Sequence, residues 1–133
     1  MKLTQLFISA LMILACAGIM NAQAVQSGSF KAGSDSPDYT LDKGTGDRSF
    51  SIPVKFDKPF AGKPDIIVSA TGLDANTKET NLRYDVSFNG ANGNGFTIVV
   101  KTWGDSKLFV VNGKWMAVAA GSSDAPKATK KKK

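Results

Sequence analysis

Between Ser49 and Phe56 the sequence "SFSIPVKF" changes character at every step. Phe50, Ile52, Val54 and Phe56 fall on one side, and Ser49, Ser51, Pro53 and Lys55 on the other. A period of two belongs to a strand with one face buried and one wetted; a helix would bring apolar residues back at spacings of three and four. "RYDVSF" repeats the pattern, setting Tyr84, Val86 and Phe88 against Arg83, Asp85 and Ser87. "FTIVVKTW" and "FVVNGKWMAVA" are longer and more apolar, and "VQSGSF" and "PDIIVSATGL" bring the count to about six strands. Gly-, Asn- and Asp-rich segments separate them, of which "NGANGNG" is the plainest turn. This pattern predicts an all-β fold, a six-stranded antiparallel β-sandwich in one domain. Pro53 cannot donate to a ladder, so its strand is expected at a sheet edge or a bulge.

The beginning of the chain has a different composition. A short positive start, a mostly apolar stretch from Leu3 to Met20 and the small-residue site in "NAQA" predict a secretory signal peptide over residues 1–24, cleaved after Ala24. A membrane anchor is one alternative, although the apolar run is short and closed by polar residues. A lipoprotein signal ending at Cys16 is another, with Leu14 unusual at its position. The expected location is extracellular, or periplasmic or lipid-anchored if the source is bacterial. The domain is then expected over 25–120, with a flexible Lys-rich tail over 121–133 and no transmembrane segment after cleavage.

Cys16 is the one cysteine, so the processed domain has no disulfide and depends on its core or on association. Removing Lys2 and the tail's net +4 from the formal +6 leaves the body at about +1. Such a surface offers no basic face for nucleic acid. Histidine is absent altogether. That removes the usual general base, the His-dependent nucleophile systems and most zinc sites. No metal and no cofactor are expected. An enzyme would have to use paired carboxylates, for instance on glycosides, and nothing in the sequence sets two of them face to face; the chain reads as a non-enzyme.

Chemistry-bearing residues remain at the loops. "GSDSPDYTLDKGTGD", from Gly33 to Asp47, is a long loop without periodicity, a kind that is usually either functional or disordered. "LDANTKETN" and "WGDSKL" are shorter. Arg83 starts one strand and Trp103 ends the next, so pairing through the "NGANGNG" hairpin makes them neighbours at one rim. An arginine fork, a carboxylate and an exposed indole together suit a sugar. The C–H face of a galactose-type ring lies on the indole, while its hydroxyls accept from guanidinium and donate to carboxylate.

At these residues the chain resembles the H-type lectin domain, the family of the snail agglutinins and of the C-terminal domain of discoidins. The resemblance rests on "VQSGSF", "PVKFDKPFAGKPDIIVSATGLD", "NLR", "GFTIVVKTW" and "KWMAVA", in order, from Val25 to about Ala119. It implies a homotrimer joined through its sheets, rim sites near subunit boundaries, and glycans bearing terminal galactose or N-acetylgalactosamine as partners. Arg83 falls on the arginine that binds ring hydroxyls and Trp103 on the stacking tryptophan. Gly104 replaces a histidine of the snail proteins, reducing that contact to backbone. Phe109 falls on an aromatic supplied by the adjacent subunit, without its hydroxyl. The family's sugar-binding aspartate falls in the long loop, which is shorter here; Asp47 is the first choice and Asp42 the second. The cysteines that join snail subunits have no counterpart, so any oligomer is non-covalent.

Each residue also has a plainer reading. Trp103 would cap one end of the core, Arg83 would form a surface ion pair with Asp85 or Asp105, and the loop aspartates would only form turns. Trp115 reads as core or trimer packing, with Met116 and Val118 facing the opposite way, along a trimer axis. The alternative function is a structural or assembly module that kept the sandwich and lost the sugar.

Overall fold

The computed structural model describes residues 23–78 and 81–119; most of the predicted leader and all of the lysine-rich tail lie outside them. Six strands follow in order: β1 (Val25–Gly33), β2 (Arg48–Lys55), β3 (Asp65–Asn76), β4 (Tyr84–Asn92), β5 (Gly95–Thr102) and β6 (Lys107–Val118). They form two three-stranded sheets, β1-β6-β3 and β2-β5-β4, and every pairing is antiparallel. Among the described residues there is no helix. The predicted fold class holds, and Pro53 lies on edge strand β2 as its missing N–H requires.

The period-two pattern explains the layers. Phe50, Ile52 and Val54 of β2 turn toward Phe96, Ile98 and Val100 of β5 and meet Leu108, Val111 and Ala117 of β6 in one core. Aromatic edges knit its centre: Phe56 lies 4.9 Å from Phe60 and Phe96 lies 5.4 Å from Trp115, both edge-on. Such pairs contribute about 0.5–1.5 kcal/mol beyond their buried area. Trp115 is therefore a core residue. Met116, next to it, faces outward and is 42% exposed. At Gly113 the Phe30 ring occupies the side-chain position: an added Cβ would lie 2.1 Å from Phe30 Cε1.

Three boundaries differ from expectation. Strand β3 continues to Asn76, so the loop expected from Leu73 starts later. Strand β4 runs to Asn92 through a register shift after Asn89, with Gly90 at φ +63, and the turn itself narrows to Gly93–Asn94. The long loop is also anchored. Tyr39 and Leu41 are buried; the Tyr39 hydroxyl donates to Leu108 O at 2.9 Å and Leu108 N donates to Leu41 O at 3.0 Å. Its last stretch, Lys43 to Asp47, is exposed and runs into β2.

Candidate functional site

The last rung of sheet β2-β5-β4 is Arg48–Thr102–Tyr84. One residue further along each strand stand Asp47, Trp103 and Arg83. The register continues past the ladder, because Gly46 N donates to Gly104 O at 2.8 Å, two steps beyond Arg48–Thr102. On the other side the Thr102 hydroxyl donates to Arg83 O at 2.7 Å. Strand spacing then puts the Asp47 and Arg83 backbones on either side of Trp103, about 10 Å apart. Alternation gives the direction. Thr102 points into the core and is 1% exposed, whereas Ser49, Lys101 and Asp85 on the preceding rung face solvent. Trp103 has the outward parity and is 40% exposed. It is not a core cap.

A groove of about 350 Å³ opens on this face, lined by Asp47, Arg48, Ser49, Lys101, Thr102 and Trp103. Arg83 is not among the lining residues; its backbone flanks Trp103 on the β4 side. Gly104, at φ +66, leaves room for the guanidinium: a Cβ there would sit 3.1 Å from Arg83 Nη1. Asp105 holds the arginine from the far side at 3.6 Å, and itself accepts from Lys78 N at 2.8 Å and from the Thr77 hydroxyl at 3.2 Å. The ion pair with Asp105 expected as the plain reading is thus present, and it holds the Arg83 guanidinium over Gly104.

Two buried hydroxyls fix the turn from beneath. Ser106, fully buried, accepts Arg83 N on its Oγ at 2.9 Å, and its carbonyl accepts the Thr102 hydroxyl at 3.3 Å. Arg48 donates to five backbone carbonyls around the groove: Lys43 (2.6 Å), Gly44 (3.1 Å), Gly46 (3.0 Å), Gly104 (3.2 Å) and Ser106 (2.8 Å).

The predicted residues divide accordingly. Asp47 and Trp103 line the groove together, and Arg83 packs over Gly104, the residue after Trp103. Asp42 does not line the groove: it lies near Tyr39, with its Oδ1 buried and without a hydrogen-bond partner. Burial, and secondly the Asp42 charge, push the Tyr39 phenol up to about 12. Phe109 stands on β6, half-buried and outside this groove, with its carbonyl accepting Ser34 N at 3.1 Å.

The H-type lectin domain family model matches residues 51–118, just over half of the chain. The chain belongs to the H-type lectin domain family. This lectin-like domain is 35% identical over 81 residues to the protein named ATP synthase subunits region ORF 7 of Fuscovulum blasticum, spanning 61% of this chain and 70% of that one. It is 28% identical over 100 residues to a discoidin-1 polypeptide of Dictyostelium discoideum, covering 73% of this chain and 40% of that protein. The solved structure of recombinant discoidin II from the same organism superposes with a TM-score of 0.67 at 26% identity, over 74% of this chain and 38% of that one. The H-type lectin domain thus spans about two fifths of the discoidins it matches.

Sequence reasoning did not single out Arg48 or Ser106 of this lectin domain. Arg48 carried one signal: an arginine directly after the glycine-rich "KGTGD", whose bends aim several carbonyls one way. Ser106 looked like an ordinary turn residue.

Proposed function

We propose that this domain is a sugar-binding lectin for galactose- and N-acetylgalactosamine-type rings, with Trp103 as platform and Asp47 and Arg83 as its polar flanks. The observation that carries the reading is the groove that Asp47 and exposed Trp103 line together one step past the last rung of the sheet, with the Arg83 backbone on the other side of Trp103. The apolar C–H face of the ring lies on the indole. One hydroxyl donates to the Asp47 carboxylate, and its neighbours accept from the Arg83 fork, which Asp105 keeps in place. No proton changes hands, so a chain without histidine is adequate and no enzyme chemistry is needed.

The outer face of the other sheet supports assembly into a trimer. Its rung Ser27–Met116–Ile67 exposes two aliphatic side chains, Ile67 at 61% and Met116 at 42%, among serines. Phe109 would then reach a neighbour's groove rather than its own. Three weak sites on one rigid body gain strength on a glycan-rich surface through effective concentration. The leader reading places the domain outside the cell. Cleavage after Ala24 leaves all of β1, which begins at Val25, and forfeits two bonds at Ala119: Ala119 N to Ala24 O and Gln23 Nε2 to Ala119 O.

Isothermal titration with N-acetylgalactosamine tests the reading. The chain should bind, and Trp103→Ala should abolish binding with unfolding temperature nearly unchanged, since the indole is substantially exposed. Equal affinity in the variant would refute the mechanism.

One observation favours the assembly-module reading. Gly104 has no side chain to offer, and its carbonyl already accepts from both Gly46 N and Arg48. A stable trimer that passes unretained over galactose-agarose and gives a blank glycan array would establish that alternative.

A further inference from the structure

We propose that Arg48 is the positioning residue of the groove: its guanidinium clamps the segment Asp42–Asp47 to the turn Trp103–Ser106 and sets the gap between Asp47 and Trp103. The ligand in this proposal rests on the lectin reading; the clamp rests on geometry alone. Arginine has five N–H donors in one planar fork. All five are used here, one each on the carbonyls of Lys43, Gly44, Gly46, Gly104 and Ser106. Three of these carbonyls belong to one segment and two to the other, so the plane of the guanidinium is a joint between them.

Two features of the sequence follow from the clamp. Gly44 and Gly46 both take left-handed φ, +63 and +82, with open space where a Cβ would be. Those bends turn three nearby carbonyls of one short loop toward a single point, which is what "KGTGDR" needs to do. The choice of arginine over lysine follows too, because an ammonium has three donors on a point and cannot span both segments. With every N–H committed to backbone, Arg48 lines the groove but has no donor left for a ligand. Its contribution is the position of Asp47 and Trp103, which adjoin the carbonyls it holds.

The test uses the full chain and its Arg48→Lys and Trp103→Ala variants, with amide hydrogen exchange, urea unfolding and titration of N-acetylgalactosamine. In the native protein the Gly46 amide should be protected. Arg48→Lys should speed exchange within 43–47 and 103–106 while the strand amides stay protected, and should weaken sugar binding about tenfold, the loss expected when a displaced Asp47 gives up about one charge-assisted hydrogen bond to the ligand. Trp103→Ala should lose binding without that exchange pattern. If Arg48→Lys matches wild type in exchange, or opens the loops with affinity unchanged, the positioning role is overturned. If wild type binds no galactose-type sugar yet Arg48→Lys still opens the two segments, the lectin reading falls and the clamp stands. Should Arg48→Lys fail to fold, the native chain decides by NMR: separate, slowly exchanging Arg48 guanidinium N–H signals support the clamp, and signals averaged by free rotation overturn it.

Discussion

Gly104→Ala puts the geometry of the site at risk in two separable ways. Gly104 stands at φ +66, where an L-residue with a Cβ is strained by about 1–2 kcal/mol. The new methyl would also lie 3.1 Å from Nη1 of Arg83, a few tenths of an ångström tighter than side chains ordinarily sit, and in ordinary contact with its Cδ at 3.6 Å. The guanidinium must move to make room, and with it the 3.6 Å contact to Asp105. Gly90 supplies the control: it has nearly the same φ, +63, and nothing within 4 Å of the Cβ position. Both alanine variants should therefore lose about 1–2 kcal/mol in urea unfolding with an unchanged denaturant slope. Each kcal/mol corresponds to about 4–8 °C in a domain of this size. Only Gly104→Ala should also weaken sugar binding, by about tenfold, since a displaced guanidinium forfeits much of the 1.5–3 kcal/mol that a charged donor contributes. If Gly104→Ala bound as tightly as Gly90→Ala at equal stability, the place assigned to Arg83 would be wrong. If neither variant were destabilised, the strain argument itself would fail.

Two further outcomes are expected. The Tyr39 phenol, raised to about 12 by burial first and by Asp42 second, holds its proton more tightly folded than unfolded; its contribution is complete below pH 10 and is lost as pH climbs from about 10 to 12. The urea midpoint of wild type should fall more steeply across that window than that of Tyr39→Phe, and parallel curves would contradict this. Ile67→Lys places a charge in the most exposed aliphatic position of the outer sheet face, so light scattering should report monomer where wild type is a trimer; a monomeric wild type would remove the trimer proposal, and a trimeric variant would move the interface elsewhere.

The sheets were legible because period two is a direct imprint of a half-buried surface. Phe50, Ile52 and Val54 announced their face, and Pro53 announced its edge. The neighbourhood of Arg83 and Trp103 was legible as well, since a hairpin fixes which strand end meets which. The long loop was not. Tyr39 and Leu41 are two apolar residues scattered among turn formers, and only tertiary packing under β6 reveals that they are buried. The same reason hid the difference between Asp42 and Asp47. Both look like turn residues, yet one lies beside a buried phenol and the other continues the register of β2. Arg48 and Ser106 act through backbone carbonyls, and a carbonyl leaves no mark in the sequence.

Strand β6 starts at Lys107, beside the turn that carries Trp103, and ends at Val118, which is paired with Val25. Both ends of the sandwich therefore emerge side by side at the pole remote from the groove, about 35 Å away along a twelve-residue strand. A linker or further module joined at that pole would leave the groove at the opposite end unshaded.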